Sequence, residues 1–262
     1  MKKIFLLKQY FNYLFNAKGP HGVHSPFVFQ FINEVLKDKR DYYFFEEIKM
    51  LRQEMYQNPK LLKVQDFGAG SHIQNAKNRK VCDIAKTAGR NEKFGKLLFR
   101  IVNHFKPHTI VELGTSMGLA TMYLAGANPQ NEVYTIEGSP EIAAQAHLHF
   151  EKLQLNNIHQ IIGNFDDILK DTLQNIGNVD LYFIDGNHRK QATIDYFEIA
   201  KPHLNENSIV IFDDIHWSQG MFEAWQHIKQ DSFVTLSIDL FFVGIVFLKK
   251  DFKEKQDFIL RF

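Results

Sequence analysis

The chain has 262 residues, 45% of them hydrophobic, a formal net charge of +1 and one cysteine. That is enough apolar material for one large domain or a domain with a cap, and the near-zero charge gives no global basic field for nucleic acid. The lone Cys82 excludes an intramolecular disulfide framework and a cysteine-built zinc site, and it fits a reducing compartment.

The first residues, MKKIFLL, resemble a leader only until Lys8 interrupts. No cleavage pattern follows, nor any apolar run of about 18 residues. The expectation is a cytoplasmic protein with no membrane span. Ile4 to Phe15 is apolar at helical spacing, which suits a docked cap helix; a helix lying on a membrane surface is the alternative, disfavoured by the small basic charge. His21 and His24 in GPHGVHSPF form a loop pair, read as structural or as reaching over a site. Ser25 stands where an N-cap belongs and Pro26 at the first helical position. Val28, Phe31, Ile32 and Val35 then share one helix face. From 37 to 92 the chain is charged and broken by glycines, and it includes VQDFGAGSHIQ at 64–74. Residues 1–92 are read as a helical cap that selects the substrate, and 93–262 as the main domain.

After residue 92 strands and helices alternate. TIVEL (109–113), EVYTIE (132–137), IHQIIG (158–163), DLYFID (180–185) and SIVIFDD (208–214) read as strands. Runs apolar on both faces, separated by helix-length segments, imply a parallel sheet covered on both sides. FVTLSID and FFVGIVFLKK lie a residue or two apart and predict a terminal antiparallel hairpin.

Two glycine loops compete for a ligand. A nucleotide turn needs a strand before it and a helix after it, because the helix N-terminus supplies free N–H groups and a positive dipole. TIVELGTSMGLATMYLA meets that demand. DFGAGS, at 66–71, is followed by polar and basic residues and is expected to be a flexible turn of the cap. Gly114 and Gly118 stand four apart without the G-x-G-x-x-G pattern, which argues against a nicotinamide cofactor. Glu137 ends the next strand, where an acid can accept both hydroxyls of a ribose or simply be solvated.

In order, ELGTSMG, VYTIEGSPE, IIGNFDDIL, VDLYFIDGNH and SIVIFDDIHW resemble the class I S-adenosylmethionine-dependent methyltransferases. Within these the chain is similar to the catechol O-methyltransferase group and to metal-dependent sugar O-methyltransferases, over about residues 93–250. The resemblance implies a doubly wound, seven-stranded Rossmann-like α/β sheet with the terminal hairpin. It implies that Glu112, Gly114, Ser116 and Gly118 cradle the methionine part of the cofactor, that Glu137 binds its ribose, and that Asn164 lies by the adenine with Asp166 close by. One departure stands out. Where the family often has a hydroxyl residue for the cofactor carboxylate, this chain has Ala120, so Ser116, Thr121 or a backbone N–H must substitute.

Asp185 ends the fourth strand, and Asp213 and Asp214 end the fifth. In an open parallel sheet, adjacent strand ends line one crevice, and three carboxylates suit Mg2+, a hard cation that takes oxygen ligands. The blander reading is that these aspartates cap helices or that Asp185 meets the cofactor's ammonium group. His188, three residues after Asp185, stands where the catechol family has a lysine acting as general base; a histidine can accept a proton at neutral pH. His216 is the second candidate, and a helix-end histidine without a chemical role is the alternative for either. The expected activity is methyl transfer from S-adenosylmethionine to the hydroxyl of a small molecule, assisted by Mg2+, by a protein that is possibly homodimeric. Metal-free N- or O-methyl transfer and a non-catalytic cofactor-binding protein are the rivals.

Overall fold

The computed structural model describes residues 2–64, 77–88 and 91–262. In chain order its elements begin α1 (Lys2–Asn16), α2 (Pro26–Phe31), α3 (Tyr43–Gln57), β1 (Leu61–Val64), β2 (Lys77–Lys80), α4 (Val81–Ala88) and α5 (Glu92–Phe105). They continue β3 (Thr109–Leu113), α6 (Leu119–Gly126), β4 (Glu132–Glu137), α7 (Pro140–Lys152), β5 (Ile158–Ile162) and α8 (Phe165–Ile176). The last are β6 (Val179–Ile184), α9 (Lys190–Ala200), β7 (Leu204–Asp213), α10 (Gln219–Gln230), β8 (Leu236–Asp239), β9 (Val243–Phe247) and β10 (Gln256–Ile259). The DFGAGS segment at 66–71 lies outside the described residues.

Helix ends are set where the sequence offers caps. Asn91 accepts the Phe94 N–H at 3.1 Å to start α5, and Ser218 accepts the Met221 N–H at 3.2 Å to start α10. Pro140 opens α7 and Pro26 opens α2, both at positions that need no N–H. Ser25 stands at the expected N-cap without a side-chain hydrogen bond. The predicted helix face beyond it is buried, with Val28, Phe31, Ile32 and Val35 no more than 3% exposed, although the last turn, Ile32–Leu36, winds as a π-helix.

The chain divides into two compact units, 34–168 and a second made of 1–33 with 169–262. In the unit 34–168, β3, β4 and β5 form a parallel run in the order β3-β4-β5, and β1 pairs antiparallel with β2. The other unit orders its strands β10-β8-β9-β7-β6. There β6 and β7 are parallel, while β9 runs antiparallel to both β7 and β8, which is the terminal hairpin.

The expectation of seven strands is corrected: β3 to β10 make eight. The extra strand, β10, lies parallel to β8. Its sequence, QDFI, lacks the apolar run that marks the buried strands, and its residues are only partly buried. Pairing with β8 and the bond from Ser237 Oγ to Asp257 Oδ1 (2.7 Å) hold it in place.

Candidate functional site

Each unit carries one cluster of chemistry-bearing residues. In the unit 34–168 the chain leaves β3, turns through Gly114–Gly118 and enters α6. Gly118 has φ +79°, a conformation that favours glycine. A Cβ there would also lie 2.4 Å from Phe150 Cε1, so packing and backbone both require glycine. The amides of Gly114 and Thr115 reach the Ile136 carbonyl at 3.0 and 3.3 Å, tying the turn to the end of β4.

Parallel register pairs Glu112 with Thr135. That register explains a buried polar chain. Thr135 Oγ1 donates to Glu112 Oε2 at 2.6 Å, Thr121 Oγ1 donates to the same oxygen at 2.5 Å, and Thr115 Oγ1 donates to Thr135 at 2.6 Å. Glu112 is fully buried, and its other oxygen, Oε1, has no hydrogen-bond partner. Burial pushes its carboxyl up to about 7, against the two threonine bonds that lower it. A buried carboxylate oxygen without a donor is a feature that a bound cation or ammonium group satisfies.

Glu137 is held from two sides. Its oxygens accept the Ser116 N–H and the Ser139 N–H, each at 2.9 Å. Its position is thereby fixed. Asn164 begins α8 and serves that helix: its Oδ1 accepts the Asp166 N–H at 3.4 Å and its Nδ2 donates to Asp167 at 3.2 Å. Asp166 is exposed beside it. Thr121 is committed to Glu112, and the amides of Gly114, Thr115, Ser116 and Gly118 already donate within the protein.

The sequence reading missed the support beneath this loop. His149 on α7 donates from Nδ1 to the Met117 carbonyl at 3.0 Å, while its Nε2 accepts from Gln145 at 3.1 Å. Burial lowers its pKa, so it braces the loop as a neutral ring. The Gln145–His149 spacing of four on one helix was the available signal.

In the unit 1–33 with 169–262, strand register brings the acids together. Ile184 pairs with Phe212, so the next residues, Asp185 and Asp213, leave adjacent strand ends at one level. One ligand atom each from Asp185, His188 and Asp213 lie within 4.8 Å of one another. His188 Nε2 stands 3.8 Å from Asp185 Oδ1 and 3.9 Å from Asp214 Oδ2. These spans exceed a direct hydrogen bond. Asp213 is buried where Asp214 is part-exposed.

The His188 loop is pinned by buried Asn187, whose Nδ2 donates to the Tyr196 hydroxyl at 2.7 Å and whose Oδ1 accepts from Arg189 Nε at 2.6 Å. His216, the second candidate base, pairs instead with buried Asp239 at 2.8 Å and stacks on Phe241 with ring centroids 5.1 Å apart. His21 and His24 are both exposed.

Comparison with known proteins finds similarity over the middle of the chain. Residues 111–215 match the model of a methyltransferase domain family. Over 123 residues, 46% of this chain and 54% of the relative, it is 28% identical to a catechol O-methyltransferase of Mycobacterium tuberculosis. Over 124 residues, 46% of this chain and 55% of the relative, it is 30% identical to a catechol O-methyltransferase of Niastella koreensis. The chain thus spans about half the length of the curated relatives it matches. The fold is that of the SAH-bound Podospora anserina methyltransferase PaMTH1, at 16% identity and a TM-score of 0.60, covering 87% of this chain and 97% of that one. A Bacillus cereus O-methyltransferase in complex with SAH gives a TM-score of 0.55 at 20% identity, covering 84% and 96%. The methyltransferase-domain match runs from β3 through Ile215 and so contains Glu112, Glu137, Asp185, His188 and Asp213.

Proposed function

We propose that the chain transfers a methyl group from S-adenosylmethionine to a hydroxyl of a small-molecule acceptor, with Mg2+ held by Asp185, Asp213 and Asp214 and with His188 as base. The observation that carries this reading is the convergence of Asp185, His188 and Asp213 within 4.8 Å. Two or three carboxylates suit a hard cation, whereas imidazole is a poor ligand for Mg2+, which leaves His188 free for proton transfer. S-adenosylmethionine supplies, when bound, a methyl carbon activated by sulfonium; Mg2+ supplies a lower pKa for the acceptor hydroxyl.

The chain's own residues do the rest. Glu137, fixed by the amides of Ser116 and Ser139, would accept the ribose hydroxyls. The buried Oε1 of Glu112 would receive a cationic donor, and Gly114, Ser116 and Gly118 would let the loop backbone approach the methionine moiety. Asn164 would lie by the adenine. His188 would take the acceptor's proton at Nε2, leaving the oxyanion that methyl transfer requires as its nucleophile. The segments before residue 93 select the acceptor.

Catechol is the first acceptor to test, because both curated relatives are named for it. Titration calorimetry of chelator-treated protein separates the roles. Asp185→Asn and Asp213→Asn should each weaken Mg2+ binding at least about tenfold. His188→Ala should bind Mg2+ normally yet turn over slowly. Equal loss of Mg2+ in all three variants would make His188 a ligand and remove the base. No binding to the wild type would remove the metal and leave metal-free transfer.

A further inference from the structure

Helix α1 has two apolar faces, and among the described residues only one of them is covered. Tyr13 and Ala17 are buried against Phe241, with Leu6 and Ile259 packed beside them. The Tyr13 hydroxyl donates to the Leu260 carbonyl at 2.7 Å, which anchors this face. On the other side Ile4, Leu7, Phe11, Leu14 and Phe15 are 74%, 55%, 55%, 44% and 88% exposed. Positions 4, 7, 11, 14 and 15 fall on one helical stripe. A contiguous exposed stripe of this kind, with two phenylalanines, marks an interaction surface.

Charge identifies the partner. Lys2, Lys3, Lys8 and Lys18 precede the first acidic residue, Glu34, while the whole chain nets only +1. Lys8 and Lys18 are exposed. The small total charge therefore conceals a segment that is basic and free of acids. A second copy would bring lysine against lysine across the stripe. Phenylalanine and leucine on one side with lysines at the flanks is the composition of a helix that lies in the headgroup region of a bilayer. No helix among the described residues is long and apolar enough to cross a membrane.

We propose that α1 docks the protein on an anionic phospholipid bilayer, with Ile4, Leu7, Phe11, Leu14 and Phe15 at the acyl boundary and the lysines against lipid phosphates. This surface is independent of the methyl-transfer reading. Its consequence for the other cluster of the same unit is direct: Tyr10 of α1 packs on Phe241 with ring centroids 5.0 Å apart, and Phe241 stacks on His216, which follows Asp213 and Asp214 in the chain.

Co-sedimentation of the full chain with vesicles tests it without any activity assay. Vesicles of phosphatidylcholine with phosphatidylglycerol should bind at least about tenfold more tightly than phosphatidylcholine alone, and salt at about 0.5 M should erase the preference. Phe11→Ser combined with Phe15→Ser should abolish binding, and Lys8→Gln should weaken it about fivefold. Both positions are exposed, so an unchanged melting temperature will show that the double variant is folded. Equal binding to the two vesicle types, or wild-type binding by the folded double variant, overturns the proposal. So does a dimer, seen by light scattering, that the double variant dissociates while the wild type ignores vesicles; that result assigns the stripe to a second copy.

Discussion

Glu112→Gln gives a quantitative test of the glycine-loop unit. The carboxyl of Glu112 is pushed from an ordinary 4.5 to about 7 by complete burial. Between those values the folded protein holds a proton that the unfolded chain has released. Stability from this group is therefore complete below about 4.5 and is lost as pH rises through about 7. The shift corresponds to about 3.5 kcal/mol, at about 1.4 kcal/mol per unit. Glutamine keeps the shape and a carbonyl acceptor for Thr121 and Thr135 but cannot ionise. Urea unfolding of the cofactor-free protein from about pH 5 to about pH 8 should show wild-type stability falling relative to Glu112→Gln by about 2–4 kcal/mol. Parallel profiles for the two proteins would mean that Glu112 is solvated in solution, and the buried acceptor argued for the cofactor's cation would be gone.

Three further outcomes follow from the same geometry. Thr121→Val removes one donor from Glu112 Oε2 and should cost about 1.5–3 kcal/mol at pH 8, where the carboxylate is charged, and less at pH 5; denaturant midpoints at both pH values check this. Gly118→Ala should destabilise by about 2–4 kcal/mol, from the left-handed backbone and from the 2.4 Å approach to Phe150; adding Phe150→Leu should recover the packing part only, as read by melting temperature. Asn187→Ala frees the His188 loop, removes the bond from Asn187 Nδ2 to the Tyr196 hydroxyl and should cost about 1–3 kcal/mol, with a lower methyl-transfer rate at unchanged cofactor affinity.

The alternating half of the chain was legible because its strands are apolar on both faces and its helices begin at caps. EVYTIE matches β4 residue for residue, and the terminal hairpin followed from the short gap between two apolar runs. β10 escaped notice because QDFI is stabilised by its neighbours rather than by its own pattern. At the site, strand ends predicted which acids would meet. Register then sets Asp185 and Asp213 at one level on adjacent strand ends, with His188 beside both Asp185 and Asp214. The threonines beneath Glu112 were hidden, since cross-strand partners such as Thr135 lie 23 residues away and carry no local signature. His216 looked available in DDIHW, and only the fold shows it paired with Asp239. The apolar run at the start signals a helix but not that the helix has two apolar faces, because docking uses one and exposure the other.

The account rests on methyl transfer at the Asp185, His188 and Asp213 cluster. The most direct measurement is transfer of labelled methyl from S-adenosylmethionine to a panel of hydroxyl acceptors headed by catechol, with chelator, with Mg2+ restored, and in Asp213→Asn. The account predicts turnover that chelator abolishes, that Mg2+ restores, and that Asp213→Asn lacks under both conditions. Turnover indifferent to chelator and to Asp213→Asn would contradict it.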